Sequence, residues 1–422
     1  MQDTPLTRLL RWKNGETPGP WELIACPTMR CNQRCRICWL RYAENEIGPV
    51  DFKAELPDER WLAMVDEAAA LEVRRWSIVG SGETMIRAPL IMALCSRIRA
   101  GNMNGILHSN GTLFKREHAG HLIGIGWDQL CFSLDGPTAE INDAIRDKGC
   151  FDRVVETLRL IRDLKRDRNT ALPRVSLNFV VTNRNHDSLE AMTRLCHEYG
   201  VAAIGATALF VQGEECSQFH LRPEQFASLP EHTARAIESA KRLGIDNNFA
   251  SMLAAQKNRD ELGRMSCAPP PAHTTPGTTD DATAAFLNAR CYEPFLSLAI
   301  LAEHGKAGPC CTFYEDKVPS ARDHSLEELW LGPYMQRMRK IILRNKTLPK
   351  YCELCCSVID DRTNPLREKL RRLTRDPLKE LGYCGYARDI ARRLRHNLAE
   401  HGLRQTLHRA RQWLHLLRHP YE

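Results

Sequence analysis

Three cysteines near the N-terminus, Cys31, Cys35 and Cys38, are separated by three and by two residues. They follow an apolar segment, residues 21–26, that has the composition of a β-strand. Three thiolates on one short loop can ligate three irons of a 4Fe-4S cube, whereas the usual ferredoxin-type cluster takes four cysteines. The spacing therefore predicts a cluster whose fourth iron is open to a ligand that does not come from the protein.

A structural zinc ion is the main alternative for this loop. Zinc sites usually take ligands in paired C-x2-C form, and Cys26 could supply a fourth thiolate here. Cys26 ends the apolar segment, however, and free cysteine commonly packs as a small buried side chain. The loop therefore favours an iron-sulfur cluster over zinc.

A second group of cysteines lies closer to the C-terminus. Its members are Cys291, Cys310, Cys311, Cys352, Cys355 and Cys356. Two pairs of thiolates brought together by a fold can ligate one further iron-sulfur cluster or one zinc ion. Local spacing does not decide between those metals, and buried thiols without a metal are a third interpretation. Seventeen cysteines in a reducing compartment favour metal or redox chemistry over disulfides.

Short apolar runs alternate with longer helical patterns between residues 21 and 210, which is typical of strand–helix units that build a parallel sheet. The six predicted strands are Trp21–Cys26, Arg75–Val79, Gly105–Ser109, Gln129–Leu134, Arg174–Val181 and Ala202–Leu209. The main predicted helices are Asp58–Leu71, Leu90–Arg99, Asp152–Arg166 and Ser188–Tyr199. Six such units predict an α/β fold, a partial (β/α)6 TIM-like barrel with its chemistry at the carboxyl ends of the strands.

Polar residues collect at those strand ends. Residues 80–84 (Gly-Ser-Gly-Glu-Thr) follow the second strand, and residues 109–112 (Ser-Asn-Gly-Thr) follow the third. Residues 133–136 (Ser-Leu-Asp-Gly) follow the fourth, and Asn178 lies on the fifth. Glycines let a backbone approach a ligand closely, and a carboxylate can bind an ammonium group. Each motif alone is also consistent with an ordinary turn or a polar residue at a barrel rim, so its weight depends on the cysteine loop.

Together with these motifs, the cysteine loop resembles that of the radical S-adenosylmethionine (SAM) superfamily. The resemblance implies that the open iron chelates the amino and carboxylate groups of SAM and that an electron from the cluster cleaves its sulfonium. Gly82 and Glu83 match the family's GGE element, which binds the SAM amino group, whereas Ser81 replaces its central glycine. By the same resemblance, Ser133 and Asn178 are candidate contacts to the SAM carboxylate and ribose.

The second cysteine group resembles the auxiliary-cluster region of radical SAM proteins with SPASM or twitch domains. The similarity runs through residues 291–294 (Cys-Tyr-Glu-Pro), 305–310 (Gly-Lys-Ala-Gly-Pro-Cys), 325–330 (Ser-Leu-Glu-Glu-Leu-Trp) and 352–355 (Cys-Glu-Leu-Cys). The further cysteines of a full SPASM domain are missing, which implies the shorter, twitch-like form with one auxiliary 4Fe-4S cluster. The resemblance assigns its ligands as Cys291, Cys310, Cys352 and Cys355, with Cys311 or Cys356 as substitutes.

Length and composition agree with two or three folded domains, since 43% of the 422 residues are hydrophobic. The predicted segments are an N-terminal extension (1–20), the barrel (21–245), a helix with a Pro/Thr-rich linker (246–290), the auxiliary-cluster domain (291–360) and a basic helical tail (361–422). The sequence contains no run of about 18 apolar residues and no signal-peptide pattern. It therefore predicts a cytoplasmic protein.

Positive charge is concentrated in the tail. Residues 362–422 hold 15 Lys and Arg against 6 Asp and Glu, a net charge of +9, so the rest carries about −2 of the total of +7. Two amphipathic helices are predicted over residues 386–401 and 403–418, with arginines on their polar sides. Such basic helices usually dock by their apolar side and leave their charged side in solvent. Peripheral contact with an anionic membrane is a second option. Nucleic acid binding is disfavoured because no RNA-binding fold signature accompanies them.

The expected function is that of a radical SAM enzyme that abstracts a hydrogen atom from its substrate and so starts an oxidation or rearrangement. An external donor such as a flavodoxin or ferredoxin would supply the electron. The sequence favours a small natural-product or sugar-like substrate, because about 20 residues precede the first strand, too few for the leader-peptide domain of many peptide maturases. The alternatives are a peptide or protein side-chain maturase, of the sulfatase-maturing or peptide-modifying type, and a non-catalytic iron-sulfur electron-transfer or binding protein. No residue is identified as a catalytic acid or base.

Overall fold

The structure is a computed structural model of the full chain. It describes residues 3–41, 51–209, 213–254, 281–310, 313, 315, 317–344, 349–376, 388–396 and 398–399. Side chains are described for fewer residues, because those of 353–362 lie outside this set.

Nine strands in the described part of the chain form one sheet. In chain order they are β1 (Glu22–Ala25), β2 (Arg75–Ile78), β3 (Asn104–Ser109), β4 (Gln129–Ser133), β5 (Arg174–Val181), β6 (Ala203–Ala208), β7 (Asp246–Asn247), β8 (Ser297–Ile300) and β9 (Ala307–Gly308). Their spatial order is β7-β6-β5-β4-β3-β2-β1-β8-β9. Neighbours pair in parallel along the whole sheet except for β8 and β9, which are antiparallel.

Helices connect the parallel strands. In chain order they are α1 (Pro5–Lys13), α2 (Asp58–Ala70), α3 (Ala88–Ala100), α4 (Arg116–Gly124), α5 (Ala139–Ile145), α6 (Cys150–Asp167), α7 (Leu189–Glu198), α8 (Gly213–Ser217), α9 (Pro223–Leu243), α10 (Asp281–Leu287), α11 (Glu293–Leu296), α12 (Leu326–Leu331), α13 (Pro333–Arg344) and α14 (Lys350–Arg375). Short 3-10 turns cover Phe52–Ala54, Thr84–Arg87 and Glu303–Gly305. Among the described residues, no helix combines the length and the apolar composition needed to cross a membrane.

The α/β fold expected from the sequence is confirmed. All six predicted strands are present, with ends within one residue of the prediction, and the four predicted helices agree within two residues. The sequence pattern did not predict β7, β8 and β9. Of these, β8 pairs with β1 across more than 270 residues of chain, and local periodicity carries no information on such a pairing. The region of the second cysteine group is therefore joined directly to the barrel sheet.

The two faces of the sheet differ in exposure. Ile78, Leu107, Leu130 and Val175 lie in one row across β2 to β5 and are at most 3% exposed. This face is covered by the helices, and burial of such side chains stabilises the fold by about 1.5–3 kcal/mol each. On the opposite face, polar residues such as His108 keep intermediate exposure, as expected for the inside of an open barrel.

Part of the basic tail packs on the N-terminal region. Residues 388–396 are helical. Asp389 is buried and forms ion pairs with Arg392 and Arg393, and Arg392 also pairs with Glu16 beyond α1. Leu394 on the predicted apolar face is 38% exposed. The second predicted tail helix, 403–418, lies outside the described residues.

Candidate metal centre

The cysteine loop follows β1 at the carboxyl edge of the sheet. Cys31 is exposed, and Cys35 and Cys38 are partly exposed. The backbone turns sharply here, since the N–H of Cys38 donates to the carbonyl of Cys35 at 3.2 Å. Electrostatic interactions link the three thiols to one another, so the loop holds them in one neighbourhood. Thiols presented to solvent on one loop are a suitable donor set for iron.

Protonation of the thiols opposes metal binding, because the thiolate is the ligand. Burial raises the pKa of Cys35 to about 12, against the lowering effect of Arg146. Burial also raises the pKa of Cys31. Metal binding at this loop must therefore displace protons, and it becomes more favourable as the pH rises.

The Gly-Ser-Gly-Glu turn after β2 is hydrogen-bonded to the start of the cysteine loop. The N–H of Gly82 donates to the carbonyl of Thr28 at 3.0 Å, and the N–H of Glu83 donates to the carbonyl of Arg30 at 2.8 Å. A Cβ added at Gly82 would lie 2.1 Å from the Arg30 oxygen, closer than any real contact. Only glycine allows the two backbones to approach in this way.

Glu83 is a buried carboxylate, 2% exposed. Its Oε1 accepts hydrogen bonds from the Ser109 hydroxyl at 2.7 Å and the Met85 N–H at 2.9 Å, and its Oε2 accepts one from the Asn110 N–H at 2.6 Å. Burial raises its pKa, although these donors oppose the effect. Within the described part of the chain, no lysine, arginine or histidine forms an ion pair with it. A buried carboxylate of this kind fits an ammonium group supplied by a ligand.

The end of β3 is hydrogen-bonded to the cysteine loop through side chains. The Asn110 amide donates to the Asn32 carbonyl oxygen at 2.9 Å, and the Asn32 amide donates to the Thr112 hydroxyl at 2.9 Å. The Asn110 oxygen in turn accepts from the Thr112 N–H at 3.0 Å. Residues 109–112 were predicted as polar strand-end residues, whereas their partner Asn32, within the cysteine loop, was not predicted.

Ser133 and Asn178 lie side by side at the carboxyl edge. They are paired positions in the parallel register of β4 and β5, and both are partly exposed. Neighbouring parallel strands in register present paired side chains to the same face. The two polar groups are thus available to one ligand, on the face that also carries His108.

The segment at the end of α5 is the third part of the chain that forms hydrogen bonds with the cysteine loop. The sequence pattern did not predict this contact. The Asp147 carboxylate accepts from the Arg34 N–H at 3.1 Å, and the Ile145 carbonyl accepts from the Arg36 N–H at 3.1 Å. Ile37 packs against a small apolar cluster that includes Ile145. No sequence signal marked these residues, because more than 100 positions separate them from the cysteines.

The second cysteine group is only partly described. Cys310 and Cys352 are partly exposed and lie against the main core, whereas Cys291 lies against the second core formed by α1, α11 and α14. Cys311 and the side chains of Cys355 and Cys356 are outside the described residues. Among the side chains that are described, no three His, Cys, Asp or Glu residues converge closely enough to form a metal site. Both ligand sets therefore remain predictions, the first from cysteine spacing and the second from the family resemblance.

Comparison with known proteins gives two family matches. Residues 26–196 match the radical SAM superfamily, and residues 291–356 match an iron-sulfur cluster-binding domain known as SPASM. The chain is 27% identical to the pre-heme d1 synthase of Dinoroseobacter shibae over 417 residues, which cover 89% of this chain and 90% of that protein. It is 29% identical to the mycofactocin maturase MftC of Mycobacterium tuberculosis over 201 residues, 47% of either protein.

A solved structure shares the fold. The crystal structure of Streptococcus suis SuiB bound to S-adenosylmethionine aligns with a TM-score of 0.56 at 15% identity, and it covers 79% of this chain and 70% of that one. At this level of identity the alignment speaks for the fold alone. It agrees with a partial TIM-like barrel followed by a C-terminal extension.

Proposed function

Because this chain is a radical SAM protein with a C-terminal SPASM iron-sulfur domain, we propose that it cleaves SAM reductively and abstracts a hydrogen atom from a peptide or protein side chain. Its cofactors are SAM and 4Fe-4S clusters. The observation that carries the proposal is the three-cysteine loop at the carboxyl edge of a parallel sheet, hydrogen-bonded to the turn that buries Glu83. An external one-electron donor completes the reaction.

The proposed ligands of the SAM-binding cluster are Cys31, Cys35 and Cys38. A cluster held by these three thiolates would supply the electron for the reductive cleavage of SAM, which precedes hydrogen abstraction from the substrate. The proposed ligands of an auxiliary cluster are Cys291, Cys310, Cys352 and Cys355, with Cys311 or Cys356 as substitutes.

The residues around the loop bind and orient SAM in this proposal. Glu83 accepts a hydrogen bond from its ammonium group, which makes the buried carboxylate one half of an ion pair. Ser133 and Asn178, paired across β4 and β5, contact its carboxylate and ribose. Holding the sulfonium in a fixed position relative to the substrate lowers the barrier by several kcal/mol.

A peptide or protein substrate is supported by the relationship to a named maturase. The MftC match has the higher identity of the two relatives compared, 29% over 201 residues. The preference for a small molecule rested on the short segment before β1, and the maturase relationship weakens that preference. Residues 3–20, which contain α1, pack on α11 and α14, so they belong to the folded body.

A second candidate substrate is a tetrapyrrole-type cofactor precursor. The relative that aligns over nearly the full length of both chains is a pre-heme d1 synthase, whereas the MftC match covers about half of either protein. The full-length relationship includes the C-terminal region, where an auxiliary cluster would lie. A tetrapyrrole precursor is also a small molecule, as expected from the sequence, but of one particular chemical class.

Iron, sulfide and 5′-deoxyadenosine should be measured on anaerobically reconstituted protein given SAM and dithionite. Two clusters correspond to about eight irons per chain. The variant with Cys31, Cys35 and Cys38 all replaced by Ala should lose half of the iron and all nucleoside formation. Retained nucleoside formation would refute the ligand assignment, and iron without any nucleoside in the unmodified protein would indicate a non-catalytic iron-sulfur protein.

Isotope transfer can separate the two substrate classes. Hydrogen abstraction from a deuterated substrate places deuterium in 5′-deoxyadenosine, which mass spectrometry detects. The reconstituted protein should form deuterated 5′-deoxyadenosine when it is given a perdeuterated peptide fraction of source cells, and prior protease treatment of that fraction should abolish the transfer. Transfer from a protease-resistant tetrapyrrole fraction instead would favour the second candidate.

A further inference from the structure

Asp135 and Arg146 form a buried ion pair beside the cysteine loop. Nε of Arg146 lies 2.7 Å from Oδ2 of Asp135, and the two side chains are 11% and 0% exposed. Asp135 follows β4, and Arg146 follows α5. Neither residue is part of the proposed ligand set for the cluster or for SAM, so the pair has no role in the mechanism above.

Asp135 is held rigidly by its neighbours. Its Oδ1 accepts from the Val180 N–H at 2.7 Å, and its own N–H donates to the Asn142 side-chain oxygen at 2.9 Å. Its carbonyl accepts from the Asn185 amide at 2.8 Å. Hydrogen bonds from β5, α5 and the loop after β5 therefore fix the Asp135 backbone and one of its carboxylate oxygens. The Arg146 guanidinium binds to the carboxylate in this fixed position.

Arg146 lies between two residues that contact the cysteine loop. Ile145 accepts a hydrogen bond from the Arg36 N–H, and Asp147 accepts one from the Arg34 N–H, both at 3.1 Å. The loop residue between those two donors is Cys35. The segment that carries Arg146 thus runs alongside Cys35 and is attached to the loop on either side of it.

The charge of Arg146 acts on Cys35. The Arg146 guanidinium interacts electrostatically with Cys35, and its side chain is only 11% exposed, so that solvent screens this interaction little. The interaction of Arg146 with Cys35 is stronger than that of Asp135. The ion pair therefore presents a net positive field to this side of the loop.

We propose that Arg146, fixed in place by Asp135, is a positioning residue that supplies positive charge to the SAM-binding cluster at Cys35. This proposal rests on the proposed function, since it requires a cluster at the loop. One electron from an external low-potential donor adds one negative charge to the cluster and transfers no proton. A neighbouring cation stabilises the more negative, reduced state more than the oxidised state. Arg146 therefore raises the reduction potential and eases electron entry.

The test is the midpoint potential of the SAM-responsive cluster, identified as the reduced-state EPR signal that changes when SAM is added. Replacing Arg146→Gln should shift the one-electron equilibrium at least tenfold toward the oxidised state, which is about 59 mV more negative. Replacing Asp135→Asn leaves the guanidinium uncompensated and should make the potential more positive. Arg146→Lys, which keeps the charge, should stay closer to the unmodified protein than Arg146→Gln does.

Arg146→Gln leaves a buried carboxylate unpaired, which can impair folding. The double variant Asp135→Asn/Arg146→Gln removes both charges together and should fall between the unmodified protein and Arg146→Gln. Arg99→Gln is the matched control, because Arg99 forms an ion pair with Asp128 at 3.1 Å at the amino edge of the sheet, opposite to the edge that carries the cysteine loop. The midpoint potential of the cluster should not change in Arg99→Gln.

Two outcomes must be kept apart. The midpoint potential could stay unchanged in both the double variant and Asp135→Asn, at full iron content. That result would show that the ion pair has only a structural role, and it would overturn this inference. If the unmodified protein shows no SAM-responsive signal at all, the proposed function itself fails.

Discussion

At the residue scale, the main property of the site is a carboxylate that folding has buried without a cation. Glu83 is held by three donors from β3 and the turn after β2, yet no basic side chain among the described residues neutralises it. Burial of an unpaired carboxylate is unfavourable. In the proposed function, the ammonium group of SAM offsets this cost, because its charge is opposite to that of Glu83.

Replacing Glu83→Gln keeps the shape and removes the charge. Because hydrogen bonds to charged groups contribute about 1.5–3 kcal/mol, SAM affinity of the reconstituted protein should fall roughly 10- to 100-fold. Equilibrium binding of SAM measures this. The iron content should stay the same, and Glu190→Gln, at a partly exposed glutamate on α7, is the control. Unchanged SAM affinity in Glu83→Gln would remove Glu83 from the binding site.

His108 lies on the inward face of β3 and is also sensitive to charge. Its pKa is lowered to about 4, chiefly by burial and also by the positive charge of Arg75, while Glu22 opposes this shift. The unfolded chain, with an ordinary histidine pKa of about 6.5, then binds more protons than the folded protein between pH 4 and 6.5. Stability should therefore fall as the pH drops through this range.

The contribution of His108 can be isolated by replacement with glutamine. The pH dependence of the free energy of unfolding between pH 7 and 4 should become shallower in His108→Gln, by at most about 3 kcal/mol. Urea denaturation at several pH values measures it. In the control His197→Gln, at an exposed histidine, the free energy of unfolding should keep the pH dependence of the unmodified protein. The same pH dependence in His108→Gln would show that His108 does not titrate in this way.

At the element scale, the cysteine loop is hydrogen-bonded to three segments, two that follow strands and one that follows a helix. The turn after β2 bonds to its first part, the end of β3 bonds to Asn32, and the segment after α5 bonds to Arg34 and Arg36. Loops are usually the mobile parts of a fold. Here the hydrogen bonds hold the backbone that carries the three cysteines, although their described side chains do not converge on one metal position.

Gly82→Ala tests this arrangement, because its Cβ would meet the Arg30 carbonyl at 2.1 Å. Forcing the two backbones apart should cost about 1–3 kcal/mol and reduce the iron bound at the loop. Iron content and the melting temperature of the apoprotein measure the two effects. Gly124→Ala is the control, since the nearest atom to its Cβ is an arginine nitrogen at 3.7 Å. Full iron loading in Gly82→Ala would contradict the close approach.

At the scale of the whole molecule, the N-terminal helix α1 and the C-terminal region pack together around one arginine, Arg339. The Arg339 guanidinium lies 4.2 Å from the Trp330 ring and 4.6 Å from the Trp12 ring, and its Nε donates to the Pro294 carbonyl at 2.9 Å. The Trp330 indole donates to the Pro18 carbonyl at 2.9 Å. Segments distant in sequence thus share one packed junction.

Trp330→Ala should lower the free energy of unfolding by about 3–5 kcal/mol, because Trp330 is fully buried and its removal leaves a large cavity. Chemical denaturation of the apoprotein measures this. Leu331→Ala, at a neighbouring residue that is 37% exposed, should change stability by no more than about 0.5 kcal/mol. Equal effects of the two substitutions would show that the junction contributes little.

The sequence by itself determined the chemistry and the local elements. The spacing of Cys31, Cys35 and Cys38 indicates a cluster with an open iron, and alternating apolar runs locate six strands within one residue at each end. Both signals are local, because side-chain periodicity and ligand spacing depend on residues a few positions apart. The substrate preference was less secure, since a count of residues before β1 says nothing about what the barrel binds.

Only the tertiary structure decided which distant groups meet. It pairs β8 with β1, aligns Ser133 with Asn178, and brings the Asp135–Arg146 pair against Cys35 across more than 100 residues of chain. Such contacts follow from how strands choose neighbours and how helices pack on the sheet, and neither choice leaves a periodic mark in the sequence. The charge next to the cysteine loop is therefore a property of the folded chain.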